Sequence, residues 1–228
     1  MEHKKIFIVI PALNEEKIIQ EVIGDIKKSG YENIIVIDDG STDNTFSKAQ
    51  EILGNSVFRH RLNRGKGAAT KTGIEAAKIL DADIIVTMDG DGQHDPTDIS
   101  KLTKPIEFDK FDVVLGTRLL NSKGMPYHKI LANKIGNFFT WYFYGLWVTD
   151  SQSGFRAYSR HAVKVINTRS DRYEYDSEVI REIKKYKLKY KEIPITVRYT
   201  EYSMGKVQKQ SFLNGLKTLY KMIWNIIS

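Results

Sequence analysis

Residues 83–94 read DIIVTMDGDGQH. The stretch opens as a short, nearly continuous apolar run rich in β-branched residues, the pattern of a strand buried on both faces. At 89–91 it breaks into Asp-Gly-Asp, where a strand cannot continue. Carboxylates at i and i+2 of a loop can both face one hard cation, with Gly90 letting the backbone turn. Mg²⁺ and Mn²⁺ prefer such oxygen ligands. An EF-hand loop also begins D-x-D, but here its sixth position would be His94 instead of Gly and its twelfth Ser100 instead of Glu, which excludes it. A plainer role for the same residues is a capped turn into a helix expected over 95–107, with Pro96 in the tolerated first turn.

The same grammar repeats on either side. Strands are expected at 6–10, 33–37, 57–59 and 112–116. Helical spacing fills 15–28, with Asn14 as N-cap, the stretch from Thr42 or Asp43 to 53, and 66–80. Strands alternating with helices predict an α/β fold, a mostly parallel sheet with helices on both faces. Ligands of such sheets bind at the carboxyl ends of the strands. All five of those ends are polar: PALNE at 11–15, DDGSTD at 38–43, NRGKGAA at 63–69, DGDGQH at 89–94 and GTR at 116–118. Five in succession describe one ligand edge.

Each end has its own chemistry. Asp38 or Asp39 can accept hydrogen bonds from a ribose or a base N–H, as acidic groups after a second strand do in dinucleotide folds. As loop groups at a strand end they are expected to carry little packing. Asn63 to Ala68, with Lys66 and Gly67, can present N–H groups and a cation to a diphosphate at a helix N-terminus. The loop lacks the Walker spacing, and Thr70 breaks G-x-G-x-x-G, so ATPase and dehydrogenase readings lose ground. The five His show no metal-ligand spacing, and no G-x-S-x-G elbow exists.

The whole chain of 228 residues is 41% apolar and 28% charged, which suits a globular protein. It has no Cys, hence no disulfide, thiolate zinc site or cysteine nucleophile. A net charge of +7 favours an anionic partner: nucleic acid, an anionic membrane surface or a phosphorylated substrate. No helix-turn-helix, RNP or zinc pattern supports nucleic acid. After residue 120 the pattern changes. Residues 128–148 combine His128, Lys129 and Lys134 with seven aromatics, a composition suited to a helix in a lipid headgroup region. A strand is expected at 155–158, a helix at 176–187, a strand at 190–197 and an amphipathic helix at 211–227. No Gly-, Ser- or Pro-rich linker divides the chain, so one domain over 1–228 is expected. The longest uncharged run, 135–149, is short of the roughly 20 residues a spanning helix needs.

Taken together the motifs resemble the family 2 glycosyltransferases with the GT-A fold, and among them the polyprenyl-phosphate sugar synthases of the dolichol-phosphate mannose synthase type. The residues that carry the resemblance are Pro11-Ala12 with Asn14-Glu15, Asp38 to Asp43, Asn63 with Gly65-Lys66-Gly67-Ala68, Met88 to His94, Gly116-Thr117-Arg118, and Ser153-Gly154-Phe155-Arg156-Ala157-Tyr158. It runs from about residue 4 to 206. The resemblance implies an inverting, metal-dependent transfer of a sugar from a GDP- or UDP-sugar to a polyprenyl phosphate. About 1–120 would hold the donor and 121–228 the acceptor. Pro11, Ala12, Glu15, Asp38 and Asp39, with Lys66, Gly67 and Asp89, would line the donor site. Asp89, Asp91 and Gln93 would surround Mg²⁺ or Mn²⁺. Arg118, with Lys129 nearby, would meet the lipid phosphate, so that Asp91 and Arg118 carry catalysis. Residues 173–178 look like the family's acidic aromatic segment. Many relatives close the site with a basic G-x-S-K element. The nearest string here is Ser203-Met204-Gly205-Lys206, which leaves Arg156, Arg198 and Lys206 as unassigned basic candidates. Many relatives also carry C-terminal membrane helices, and none is visible in this sequence.

A phosphate monoester has a second pKa of about 6 and is already a nucleophile at neutral pH, so such an acceptor needs no strong protein base. A glycan or other hydroxyl acceptor, the alternative reading, would need one, and Asp150 is the candidate. A purely structural Arg118 would pair with a carboxylate such as Asp112. A polyprenyl acceptor further implies a protein peripheral on the cytoplasmic face of a membrane, with homo-oligomerisation left open. A nucleotidyltransferase would place a basic Gly-rich loop after the first strand, where this chain has PALNE. A silent scaffold is opposed by the intact Asp89 and Asp91.

Overall fold

The computed structural model describes residues 4–119, 127–172 and 174–198. Seven strands form one sheet: β1 (Ile6–Ala12), β2 (Ile34–Asp38), β3 (Val57–Arg59), β4 (Ile84–Thr87), β5 (Val113–Thr117), β6 (Arg156–Ser159) and β7 (Tyr190–Pro194), in the order β3-β2-β1-β4-β6-β5-β7. Every pairing is parallel except those of β6, which runs antiparallel to both β4 and β5. The expected mostly parallel sheet is what forms. Strands from after residue 120 enter the same sheet, and β6 is inserted between two strands of the first half.

Successive side chains of a strand point to opposite faces, and here both faces are covered. Ile8 and Ile10 of β1 pack with Ile34, Val36, Ile84 and Val86 under α1 (Ile19–Lys28), α2 (Thr45–Leu53) and α4 (Ile99–Phe108). Phe7 and Val9 pack with Ile35, Ile37 and Ile85 under α3 (Lys66–Ile79), α6 (Arg160–Val165) and α7 (Glu174–Lys185). A further helix, α5 (Tyr127–Tyr144), lies against α7. Register fixes the site: Ala12 pairs with Asp38 and Thr87 with Arg156, so these strand ends lie side by side.

Several boundaries differ from the sequence reading. Asn14 is not a helix cap. It takes a left-handed conformation, φ +54°, which Asn tolerates better than most residues, and its side chain accepts from the Thr42 N–H at 2.9 Å. Helix α1 therefore starts at Ile19. The expected helix over 95–107 splits. Asp95 accepts from Thr97 N in a 3₁₀ turn, Pro96–Asp98, before α4 begins. Helix α7 starts two residues early, placing Asp176 in its first turn. The amphipathic tail at 211–227 lies outside the described residues.

Helix α3 approaches β1 and β2 at Gly73, where a Cβ would collide with Val9 Cγ1 and sit 3.2 Å from Ile37 Cγ1. Overpacking a rigid β-branched core costs about 1–3 kcal/mol. Gly73→Ala is expected to lose that much in urea unfolding, and undiminished stability would show that α3 can shift freely on the sheet.

Candidate active site

The loops at the carboxyl edge are stitched to one another by buried polar groups. The Asp39 N–H donates to Ala12 O at 2.9 Å. The Asp39 carboxylate accepts from His60 Nδ1 at 2.7 Å, Arg64 N at 3.0 Å and Gly65 N at 2.7 Å. Asp38 accepts from Ser41 N at 3.1 Å and lies 3.0 Å from Arg59 Nε. The Glu15 N–H donates to Thr45 Oγ1 at 2.7 Å, and Glu15 is buried. Gly40, φ +75°, lets the second loop rest on the third, since a Cβ there would lie 2.7 Å from Asn63 N. Thus Pro11, Ala12, Glu15, Asp38 and Asp39 are gathered at one edge. The acids, however, are not loosely packed loop groups. Asp38 and Asp39 are 0% and 2% exposed and already bonded within the protein.

The start of α3 is closed in the same way. Besides the Gly65 N–H held by Asp39, the Ala68 N–H donates to Asp171 O at 2.9 Å. A Cβ on Gly67 would sit 2.6 Å from Tyr175 Cβ, so Gly67 serves close packing against α7. The segment that covers α3 is itself held by α7, where Glu178 Oε2 accepts from Arg169 N at 3.0 Å and Ser170 N at 2.8 Å. Three of the N–H groups that the sequence offers to a diphosphate, those of Arg64, Gly65 and Ala68, are therefore spent internally, and Lys66 is the part of the loop that reaches the acidic edge.

Lys66 Nζ lies 2.8 Å from Asp89 Oδ1 and 3.4 Å from Asp176 Oδ2. Burial pushes the Lys66 ammonium down, but Asp176 and Asp89 outweigh it and hold it above the ordinary lysine value. Burial likewise pushes Asp89 up, yet Lys66, then His94, bring it down to about 2. Asp176 sits above the ordinary carboxylate value because burial outweighs Lys66 and Arg156. His94 stacks on Phe155 at 4.9 Å, and its Nδ1 accepts from Asp89 N at 3.3 Å. Its burial depresses the imidazole pKa against the pull of Asp89 and Asp91. Asp91 accepts from Gln93 N at 3.0 Å and Gln93 Nε2 at 2.7 Å. Among the described residues no three or more His, Cys, Asp or Glu side chains converge as a metal cage. Asp89, Asp91 and Gln93 supply oxygen atoms on one loop. That set fits Mg²⁺ or Mn²⁺, which bind through one or two carboxylates completed by substrate phosphates.

Arg118, at the end of β5, grips Asp150 in a fork: Nε to Oδ2 at 2.7 Å, Nη2 to Oδ1 at 2.8 Å, with its own N–H to Oδ2 at 3.0 Å. Asp150 is the carboxylate partner, not Asp112, which instead accepts from Lys189 N at 2.9 Å. Burial pushes Asp150 up, but Arg118 overcomes it and holds the carboxyl below its usual range. A carboxylate bonded through both oxygens and depressed in pKa is a poor general base. Arg156 is 1% exposed and donates to Ser153 O and Ser151 O, each at 2.8 Å, a structural placement. Arg198 pairs with Asp25 at 2.8 Å and Asp95 at 3.1 Å, and its N–H donates to Gln93 O at 2.8 Å. Lys129 falls in α5 with its side chain outside the described residues, and Lys206 lies outside them altogether. Asp176 and Gly154 are the site members that sequence reasoning did not assign. The acidic aromatic segment at 173–178 is the signal for Asp176, but no local pattern pairs it with Lys66.

The model for glycosyl transferase family 2 matches residues 7–166. An uncharacterized protein of Methanocaldococcus jannaschii is 47% identical over 224 residues, 96% of this chain and 91% of the relative. A Methanococcus voltae protein named UDP-N-acetylglucosamine–dolichyl-phosphate N-acetylglucosaminyltransferase is 41% identical over 244 residues, 98% of this chain and 96% of the relative. In fold, glucosyl-3-phosphoglycerate synthase of M. tuberculosis is similar with a TM-score of 0.69 at 22% identity, over 96% of this chain and 78% of that one.

The Asp39 bonds generate a test. Leaving the buried Gly65 N–H without a partner costs about 1–3 kcal/mol. Asp39→Ala is expected to lose at least that in urea unfolding, and Asp39→Asn, which keeps one acceptor oxygen, to lose less. An Asp39→Ala protein as stable as wild type would show that the loop needs no such anchor.

Proposed function

The chain belongs to glycosyl transferase family 2, and we propose that it moves a sugar from a nucleoside-diphosphate donor to a polyprenyl phosphate. The relative from Methanococcus voltae, matched over nearly its whole length, is named for that class of acceptor and for a UDP-sugar. UDP-N-acetylglucosamine is therefore the first donor to test, ahead of GDP-sugars. The observation that carries the acceptor is the Arg118–Asp150 fork. It takes the candidate base out of play, and a phosphate acceptor needs none, being largely dianionic at neutral pH. Arg118 stands at the carboxyl end of β5, in line with the other strand ends, and a guanidinium suits a phosphate. Asp89 and Asp91, with Gln93, would hold Mg²⁺ or Mn²⁺ near the donor diphosphate. A divalent cation there supplies charge stabilisation to the departing nucleoside diphosphate. Asp38, Asp39 and Glu15 shape the nucleoside end by fixing the loop backbones.

The acceptor implies a lipid surface, and α5 supports one. Its inner face is polar. Asn137 Oδ1 accepts from Ser151 N and Ser151 Oγ, each at 2.9 Å, and Thr140 Oγ1 lies 3.2 Å from Ser177 Oγ of α7. Its outer face is apolar: Leu131, Ile135, Phe138 and Tyr142, spaced i, i+4, i+7 and i+11, are exposed, as are Trp141 and Trp147 beside them. Exposed aromatics with Lys134 alongside suit the headgroup region of a bilayer. Among the described residues no helix is long and apolar enough to cross a membrane.

The decisive assay pairs labelled UDP-N-acetylglucosamine with dolichyl phosphate or with soluble hydroxyl acceptors. Label is expected in the lipid fraction, and label only on hydroxyl acceptors would overturn the reading. Arg118→Lys keeps the charge but loses the fork. Because that fork holds buried Asp150, a lower melting temperature is expected, and the acceptor reading adds a KM for lipid phosphate raised about tenfold or more, one charge-assisted contact of about 1.5–3 kcal/mol, with the donor KM nearly intact. Equal losses toward both substrates would leave Arg118 a purely structural residue. Replacing Phe138, Trp141 and Tyr142 together by Ser is expected to weaken binding to anionic vesicles about tenfold or more while sparing turnover of a short-chain soluble acceptor. Unchanged vesicle binding would remove α5 from the membrane contact.

A further inference from the structure

Four charges alternate in sign from the acidic loop into the second half of the chain: Asp89 and Lys66, half-buried, then Asp176 and Arg156, buried. Lys66 Nζ stands between the two carboxylates, 2.8 Å from one and 3.4 Å from the other. Arg156 Nη2 lies 3.7 Å from Asp176 Oδ1. Gly154 leaves room for this row at its Asp89–Lys66 end. A Cβ there would collide with Lys66 Nζ and lie 2.8 Å from Asp89 Oδ1.

A lysine ammonium and a divalent cation on one carboxylate repel each other, and the repulsion is strong when the pair is partly buried, so the cation favours an Asp89 that Lys66 has left. Arg156 is pinned by Ser151 O and Ser153 O. Lys66 is the first residue of α3, and its four-carbon stem can swing its head over ångströms without moving the helix. Asp176 gives that head a second carboxylate, so it can leave Asp89 without becoming an unpaired buried charge.

We infer that Lys66 is an internal placeholder cation: it balances Asp89 in the empty enzyme and moves fully onto Asp176 when a divalent cation arrives. Asp176 is then a positioning residue that sets cation affinity through Lys66. The inference rests on the reading that the 89–91 loop takes a divalent cation, and goes beyond it in assigning what holds that place beforehand. Removing the placeholder strengthens cation binding, and removing its second partner weakens it, because Lys66 then clings to Asp89.

The test is Mn²⁺ binding to the full-length protein, read from the electron paramagnetic resonance of free Mn²⁺ with no nucleotide and repeated with UDP. Lys66→Met is expected to bind Mn²⁺ about tenfold more tightly than wild type, and Asp176→Asn about tenfold more weakly. A tenfold change corresponds to about 1.4 kcal/mol, within the range of one partly buried charge pair. The double variant is expected to match Lys66→Met, because Asp176 acts only through Lys66. Asp176→Glu, which keeps the carboxylate, is expected to retain wild-type affinity, and the Asn–Glu comparison decides the matter if Lys66→Met does not fold. Equal weakening by Asp176→Asn with and without Lys66, or weaker binding by Lys66→Met, would overturn the inference while leaving the transferase reading intact. Uptake by the wild type only with UDP would also overturn it, since Lys66 would then yield to the nucleotide. No uptake under either condition would overturn both.

Discussion

Everything at the carboxyl edge depends on how the first turn of α3 is satisfied. The first N–H groups of a helix have no partners within it and must find them elsewhere. Here Gly65 N is taken by Asp39 from the loop after β2, and Ala68 N by the Asp171 carbonyl, from a segment that α7 holds through Glu178. One end of one helix thus joins the two halves of the chain. Lys66 is placed by that junction, and with it the carboxylates of Asp89 and Asp176. An error of a single residue in where α3 begins would move the ammonium out of the acidic row and leave the carboxylates of Asp89 and Asp176 without the cation between them.

The second half of the chain uses its helices differently from the first. In α1, α2 and α4 the apolar stripe faces the sheet, and burial of that stripe stabilises the fold. In α5 the polarity is inverted. Asn137 and Thr140 look inward to Ser151 and Ser177, and Leu131, Ile135, Phe138, Trp141 and Tyr142 look out. Hydrogen bonds from Asn137 and Thr140, together with the buried Tyr144, hold its inner face, and the exposed apolar row on its other side is left uncovered. The same segment runs on to Thr149, whose hydroxyl bonds Thr117 Oγ1 at the end of β5, and to Asp150, which holds Arg118. The helix proposed to meet lipid and the carboxylate that holds Arg118 are therefore parts of one short stretch.

The parallel half was legible because apolar runs, turn residues and helical spacing are local signals. The polar ends of β1, β2, β4 and β5 appear in the structure at one edge, as the alternation implied. What local signals cannot carry is direction and partnership across long separations. Phe155 to Tyr158 read as a strand, but nothing in those residues says that it runs antiparallel between β4 and β5. Asn14 read as a cap because Asn commonly caps, yet its role is to tie two loops, a contact 28 residues away. Asp38 and Asp39 read as exposed turn acids, and their burial follows from bonds to residues 59–65 that only the folded loops bring near. Asp176 stands 110 positions from Lys66, and Arg118 found Asp150 in preference to Asp112 for the same reason: the pairs are made by topology.

The place of β6 has a consequence for how the chain is made. β5 pairs with β6 and β7 but with no earlier strand. When residue 117 emerges from the ribosome, β3, β2, β1 and β4 can already assemble, but β5 has nowhere to dock. One side of β4 stays open until residues 156–159 arrive, some 40 residues later, to fill the gap. At roughly 5–20 residues per second that is a delay of seconds with the short, apolar edge of β4 exposed. Non-local pairing of this kind is slow to form. The sheet therefore closes from its second half, and the central pairing of β4 is among the last that synthesis allows.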